Sequence, residues 1–354
     1  MTNEELIAHM KDFAQRCSSI SKLHRIGASV RGVPLYVLEI SDRPGVEEAE
    51  PNFKYIANMH GTEPGGRQLL LTFAEWLCAN WKSEARAKRV VQDMHMWLMP
   101  TMNPDGYKDK TYENAAGVNL NRDFPDPINS PSMDASRGEQ PETRAVMDWV
   151  LSRQWVASAN MHEGAFVVNY PFDGTASGWD AYNATQDDAT FRHVSKVYAK
   201  RNPRIRNSTE FKDGITNGAG WYVIYGGMQD WNYVRAGCFE VTLELWDVKM
   251  GAPLQTLFNH NLDSMLAYAT TTTFGGLRGF VRQRGSSKPL DARITVSGSK
   301  FVARTNPRFG NFYRPLAPGN YTVRVAKKDG SAASTHKVTV PESGAGAVLS
   351  VTFP

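Results

Sequence analysis

Phe53-Lys54-Tyr55-Ile56-Ala57-Asn58-Met59-His60-Gly61-Thr62-Glu63-Pro64-Gly65-Gly66-Arg67 is the stretch whose reading decides the fold of this chain. A hydrophobic run ends at Met59, a loop with glycine and proline follows, and residues 68–77 carry an amphipathic pattern. That order reads as strand, loop, helix. In open α/β sheets, ligand sites collect in loops at the carboxyl ends of strands. His60 and Glu63, three residues apart in such a loop, are placed to turn toward one cation. A second hydrophobic run, residues 155–161, ends on His162 and supplies a third ligand. Two histidines and a glutamate with one open position form the ligand set of a catalytic zinc site, not a structural one.

Outward from that loop, the composition is that of a globular protein. The chain has 354 residues, 41% of them hydrophobic, enough for a large core and two domains. No apolar run approaches the ~18 residues of a membrane span. Glu4, Glu5, Lys11, Asp12 and Arg16 interrupt the first 20 residues, so no signal-peptide core is read there. Thr2 and Glu5 instead have the spacing of a capping box that starts a helix. The expected location is cytoplasmic for the chain as given, or secreted or periplasmic if a leader has been removed. Cys17, Cys78 and Cys238 are read as too few and too scattered for a disulfide framework or a cysteine metal site. The sequons at Asn183, Asn207 and Asn320 read as chance triplets.

Charge divides the chain unevenly. Residues 277–354 hold 13 Lys and Arg against 3 Asp and Glu, out of 40 and 36 in the whole. The first 276 residues are therefore net acidic. Before the boundary, helical patterns alternate with short β-rich runs, as in an α/β fold. The boundary itself, Thr270-Thr271-Thr272-Thr273-Phe274-Gly275-Gly276, reads as a linker or strand entry. After it, short alternating runs begin near Leu277, Ala292, Tyr321, His336 and Val348, separated by Gly, Pro, Asp and Ser. That is the pattern of a small β-sandwich. Its basic surplus fits an anionic partner such as a membrane, nucleic acid or glycan, but a solvated basic surface is the plainer expectation. No nucleic-acid motif accompanies it, and no nucleic-acid partner is expected.

Beyond the loop at His60, further motifs follow in order: Met102-Asn103-Pro104-Asp105-Gly106, Gly117-Val118-Asn119-Leu120-Asn121-Arg122-Asp123-Phe124-Pro125, Ala159-Asn160-Met161-His162 and Val168-Asn169-Tyr170-Pro171-Phe172-Asp173. Gly214 to Tyr222, Gly226-Gly227-Met228-Gln229-Asp230-Trp231-Asn232-Tyr233 and Phe239-Glu240-Val241-Thr242-Leu243-Glu244-Leu245 complete the set. In these motifs the chain resembles the zinc metallocarboxypeptidases (the M14 family), and within them the regulatory subfamily of the carboxypeptidase E, M, N and D type. The resemblance covers nearly all of residues 50–354. It implies a carboxypeptidase-type α/β/α fold, with a mixed central sheet and helices on both faces, in residues 1–276. It also implies a transthyretin-like all-β sandwich in residues 277–354. The activity implied is zinc-dependent removal of C-terminal residues from peptides or proteins, with one Zn2+ per chain.

The resemblance also implies residue roles. His60, Glu63 and His162 would hold the metal, and Glu244, set in an otherwise apolar strand, would be the general base. Arg122 would clamp the substrate's terminal carboxylate through paired hydrogen bonds, with Asn121 and Tyr222 completing the clamp. Tyr222 lies in a glycine-rich segment from which it would swing over substrate. Asp173 and Gln229 stand where basic-specific members line the pocket for the terminal side chain, which points to release of Arg or Lys.

Three positions depart from the family pattern. Tyr112 stands at the oxyanion position, where the family has an arginine, and Lys108, Lys110 and Arg67 are the basic residues considered as substitutes for the lost charge. Asn119 replaces an aspartate that orients a zinc-bound histidine. Glu163 replaces a glycine and adds a carboxylate near the metal. Two alternatives accompany the main reading: a weak or inactive homologue that binds C-terminal tails, and a hydrolase shifted to differently configured amides such as cell-wall peptides.

Overall fold

The computed structural model describes residues 1–129 and 140–354. Eight strands form the central sheet: β1 (Ser21–Ala28), β2 (Pro34–Ile40), β3 (Asn52–Ala57), β4 (His95–Met99), β5 (Ala157–His162), β6 (Val167–Tyr170), β7 (Ile215–Asn217) and β8 (Phe239–Glu244). Their order across the sheet is β1-β2-β4-β3-β5-β8-β6-β7. Strands β4, β3, β5 and β8 run parallel at the centre, while β1, β2 and β6 pair antiparallel with neighbours, so the sheet is mixed.

The period of two along each strand divides the core between the sheet's two faces. Phe53, Tyr55 and Ala57 of β3, with Met96 and Leu98 of β4, enter one apolar cluster. Ile56 of β3, with Trp97 and Met99 of β4, enters the other. Helices Asn3–Arg16, Gly65–Asn80, Asp188–Ala199 and Leu254–Phe274 bury Phe13, Phe73, Phe191 and Met265 on the first face. Helix Pro141–Leu151 covers the second with Val146, Trp149 and Val150. Helices on both faces of a mixed sheet match the α/β/α expectation.

The first helix starts as its sequence predicts. The Glu5 amide donates to Thr2 Oγ1 at 3.2 Å, and the Thr2 amide donates to Glu5 Oε2 at 2.7 Å. Two expectations fail. Cys17, at the end of this helix, forms a disulfide with Cys78 of the helix Gly65–Asn80, so two of the three cysteines are paired. Residues 270–274 are not a linker but the last turns of the helix Leu254–Phe274. The hydroxyls of Thr270, Thr272 and Thr273 donate to carbonyls four residues back, at 2.7–2.8 Å. Burial and these bonds outweigh the modest helix preference of a threonine run.

Eight further strands follow: β9 (Leu277–Gln283), β10 (Ala292–Val296), β11 (Val302–Arg304), β12 (Asn311–Arg314), β13 (Gly319–Lys327), β14 (Ala333–Val340), β15 (Ala347–Val348) and β16 (Val351–Phe353). One sheet runs β11-β10-β13-β14; in the other, β9 pairs with β12, β15 and β16. Val281, Ile294, Phe312, Val323, Val325 and Phe353 share one apolar core between the two sheets. The seam with the α/β body contains a buried ion pair, Arg314 Nη2 to Asp187 Oδ1 at 2.5 Å. Tyr233 donates to the other Asp187 oxygen at 2.9 Å, and Phe301 stacks on Tyr233.

Candidate active site

The three parallel strands β3, β5 and β8 deliver the principal side chains at their carboxyl ends. Asn58, just past β3, adopts φ 55°, and its side-chain amide holds the His60 carbonyl at 2.9 Å. Asparagine tolerates this left-handed conformation better than most residues, and here it turns the chain sharply after the strand. Gly61 then lies against Gly106: a Cβ on Gly61 would come within 2.1 Å of the Gly106 carbonyl carbon. His162 ends β5 and pairs in register with Glu244 at the end of β8. The side chains of His60, Glu63, His162 and Glu244 are all buried.

His60, Glu63 and His162 converge. The two histidine Nδ1 atoms lie 3.1 Å apart, and each faces Glu63 Oε2, at 3.0 Å from His60 and 2.9 Å from His162. Asn119 Oδ1 accepts the Asn121 amide at 2.9 Å and meets His60 Nε2 at 3.0 Å. That oxygen can only accept, so His60 carries its proton on Nε2 and presents a bare Nδ1. A lone pair aimed at a carboxylate oxygen is repulsive until a cation comes between them. The donor set therefore fits a divalent ion with nitrogen and oxygen ligands, and zinc matches it. Asn119 thus fixes the orientation of the His60 ring.

A cavity of about 280 Å³ opens on this cluster. Its walls include Tyr112, Asn121, Arg122, Asp173, Tyr222, Glu244 and Lys249. Glu244 Oε2 is buried without a hydrogen-bond partner. Burial pushes its carboxyl up to about 7 despite the opposing pull of His162. Arg122 Nη1 donates to the Asn121 carbonyl at 2.7 Å, and Asn121 Oδ1 accepts the Met228 amide at 3.0 Å. Tyr222 is 46% exposed and follows a short helical turn, Gly218–Trp221, rather than an open glycine loop.

Asp173 lies deeper, 3% exposed. Its Oδ1 accepts from Asn169 Nδ2 at 3.0 Å and from Gln229 Nε2 at 2.8 Å. Gln229 does not line the cavity; it sits behind Asp173, held by a 3.0 Å bond from Thr242. A Cβ on residue 218 would fall 1.8 Å from Asp173 Oδ1, so Gly218 is required for the carboxylate to face the cavity. Burial pushes the Asp173 carboxyl up to about 6, although Asn169 and Arg122 draw it down.

The departures from the family pattern resolve differently from one another. Tyr112 stacks on His60, with ring centroids 3.7 Å apart. None of Lys108, Lys110 and Arg67 lines the cavity. Arg67 is buried against Tyr107 and donates to the Thr2 carbonyl at 3.0 Å. Lys249 does lie beside Tyr112, with Nζ 4.3 Å from the Tyr112 ring centroid and 2.9 Å from Glu63 Oε1. The only sequence signal for it was a lysine shortly after the strand bearing Glu244. Glu163 accepts the Gly65 amide at the start of the helix Gly65–Asn80 and the Met250 amide, so both its oxygens serve the backbone.

This arrangement agrees with comparisons to known proteins. The profile of the zinc carboxypeptidase family matches residues 6–271. Carboxypeptidase SOL1 of Arabidopsis thaliana is 44% identical over 97% of this chain, which spans 70% of that protein. Human carboxypeptidase D is 39% identical over 95% of the chain, which spans only 25% of that much longer protein. Among solved structures, thrombin-activatable fibrinolysis inhibitor superposes with a TM-score of 0.63 at 19% identity, covering 76% of this chain and 72% of its own. That last likeness concerns the fold alone. The match to the family profile and to relatives along almost the whole chain shows that this protein belongs to the zinc carboxypeptidase family, on the regulatory branch with carboxypeptidase D, and is a metallocarboxypeptidase.

Proposed function

We propose that this enzyme removes C-terminal arginine or lysine from peptides or proteins, and that the observation carrying the specificity is the buried Asp173 carboxylate facing the cavity. A guanidinium or ammonium arriving there gains a paired charge, whereas an apolar side chain leaves a desolvated carboxylate unmatched. Asn169 and Gln229 position Asp173 by occupying one of its oxygens. Arg122, Asn121 and Tyr222 bind the free terminal carboxylate, which makes the reaction exopeptidic.

His60, Glu63 and His162 hold the zinc. Bound there, zinc supplies Lewis acidity to the scissile carbonyl and acidifies a water molecule. Glu244 takes a proton from the attacking water and delivers it to the departing amine. Paired in register with His162 and with Oε2 free of hydrogen bonds, it is placed for both transfers. Lys249 supplies positive charge beside Tyr112, where the resemblance leads one to expect an arginine, and so favours charge developing on the carbonyl oxygen.

Residues 277–354 constitute a separate transthyretin-like domain in this reading, beginning where the helix Leu254–Phe274 gives way to β9. The Cys17–Cys78 disulfide supports work in an oxidising compartment.

Glu244→Gln tests the proposal by separating binding from turnover. The variant should keep one zinc in the His60 site, lose hydrolysis by about 10²–10⁴-fold, and still bind a blocked dipeptide ending in Arg more tightly than one ending in Phe or in an Arg amide. Equal affinity for the three would remove both the Asp173 pocket and the carboxylate clamp.

A further inference from the structure

A second cluster of ligand-type side chains lies outside the cavity, where the segment between β2 and β3 meets the start of β4. His95, the first residue of β4, is 4% exposed. Its Nδ1 lies 3.0 Å from Glu39 Oε1. The other Glu39 oxygen is engaged by His24 Nε2 at 2.7 Å and by the Gly45 amide at 2.9 Å. In its neutral form His95 carries its proton on Nδ1, toward Glu39, and leaves Nε2 free to ligate.

That buried nitrogen has no hydrogen-bond partner. It faces Glu50 Oε2 at 3.8 Å, too long for a hydrogen bond. Glu50 Oε2 is itself buried and unbonded, and so is Glu48 Oε2. Arg43 takes only the other Glu48 oxygen, at 2.8 Å. One ligand atom from each of Glu48, Glu50 and His95 lies within 4.8 Å of the others. The 3.8 Å nitrogen–oxygen separation is within reach of two ligands bound to one ion at about 2.0–2.2 Å each. Carboxylate support on the far side of an imidazole is also how metal-bound histidines are commonly oriented.

We propose that Glu48, Glu50 and His95 form a second divalent-cation site, separate from His60, Glu63 and His162, that takes a first-row transition ion such as zinc. One imidazole and two carboxylates suit that class, and the Glu39 bond fixes the histidine in its ligating tautomer. The same segment supports the β-sandwich. Tyr313 Oη donates to the Ala49 carbonyl at 3.0 Å, and Asn306 Nδ2 donates to Glu47 Oε1 at 3.0 Å. An ion held by Glu48 and Glu50 fixes the backbone on which those contacts are made.

The test is zinc stoichiometry on the full chain, stripped of metal and re-equilibrated with Zn2+, alongside peptide hydrolysis. Wild type should retain two equivalents, and Glu50→Gln should retain one while hydrolysing peptides at the wild-type rate. The double variant His60→Gln/His162→Gln should also retain one, and this count decides the matter should Glu50→Gln fail to fold. A single equivalent in wild type, two in Glu50→Gln, or none in the double variant would overturn the second site.

Discussion

Asp173→Asn removes one charge from the floor of the cavity while keeping the shape of the side chain. The Asn oxygen can still accept from Asn169 and Gln229, as Asp173 Oδ1 does at 3.0 and 2.8 Å, leaving an amide NH2 toward the cavity. A basic substrate side chain then meets a neutral donor instead of a carboxylate. Removing one partner of a buried, hydrogen-bonded charge pair costs about 2–5 kcal/mol, or roughly 30- to several-thousand-fold in kcat/KM. The loss should fall on substrates ending in Arg and Lys, with those ending in Phe or Ala unchanged or improved. With its carboxyl near 6, wild-type Asp173 should also give basic substrates a decline in kcat/KM below about pH 6, and the variant should lack it. Stability should move the other way. Between the ordinary carboxyl value of 3.8 and about 6 the folded state binds the extra proton, so wild-type stability falls as pH rises through that window. Above it the ionised carboxylate costs on the order of 1–3 kcal/mol, which the neutral amide recovers. The assay is kcat/KM for four blocked dipeptides from pH 5 to 8, with thermal unfolding of both proteins. A uniform loss across all four substrates would refute the assignment of Asp173 to the terminal side chain.

Other substitutions probe the remaining elements. Lys249→Met should lower kcat by about 10²–10³-fold if this charge steadies the carbonyl oxygen, and Tyr112→Arg should restore part of it; an unchanged kcat in Lys249→Met would leave the lysine no role in turnover. Arg314→Met leaves Asp187 buried without its charge partner and should destabilise the protein by about 3–5 kcal/mol in denaturant unfolding; a change below 1 kcal/mol would show the seam to be solvated. Reduction of Cys17–Cys78, which closes a loop with a sequence separation of 61, should cost about 4 kcal/mol on the chain-entropy estimate. Unfolding with and without reductant measures that cost, and identical curves would mean the bond does not constrain the unfolded chain.

What could be read from the sequence was local. His60 and Glu63 stood out because a hydrophobic run ends beside them, and strand ends are where such sheets gather ligands. Glu244 stood out because a carboxylate in an apolar strand needs a reason to be buried. The Thr2 cap is a matter of four residues. What escaped depends on distant segments meeting. Cys17 and Cys78 are brought together by packing of the helices Asn3–Arg16 and Gly65–Asn80, which no spacing announces. Lys249 reaches Tyr112 through the path of the chain after β8, and Gln229 reaches Asp173 from behind the cavity wall. Residues 270–274 misled because threonine runs favour extended chain, while here their hydroxyls bond to the helix they extend. The short strands β11 and β12 gave too little alternation to be seen.

The most direct measurement is release of the C-terminal residue from blocked dipeptides ending in Arg, Lys, Phe or Ala, by zinc-quantified protein with and without chelator. The proposed function predicts chelator-sensitive release of Arg and Lys far ahead of Phe and Ala. Zinc bound at the His60 site with no release from any of the four, or with Phe released as readily as Arg, would contradict it.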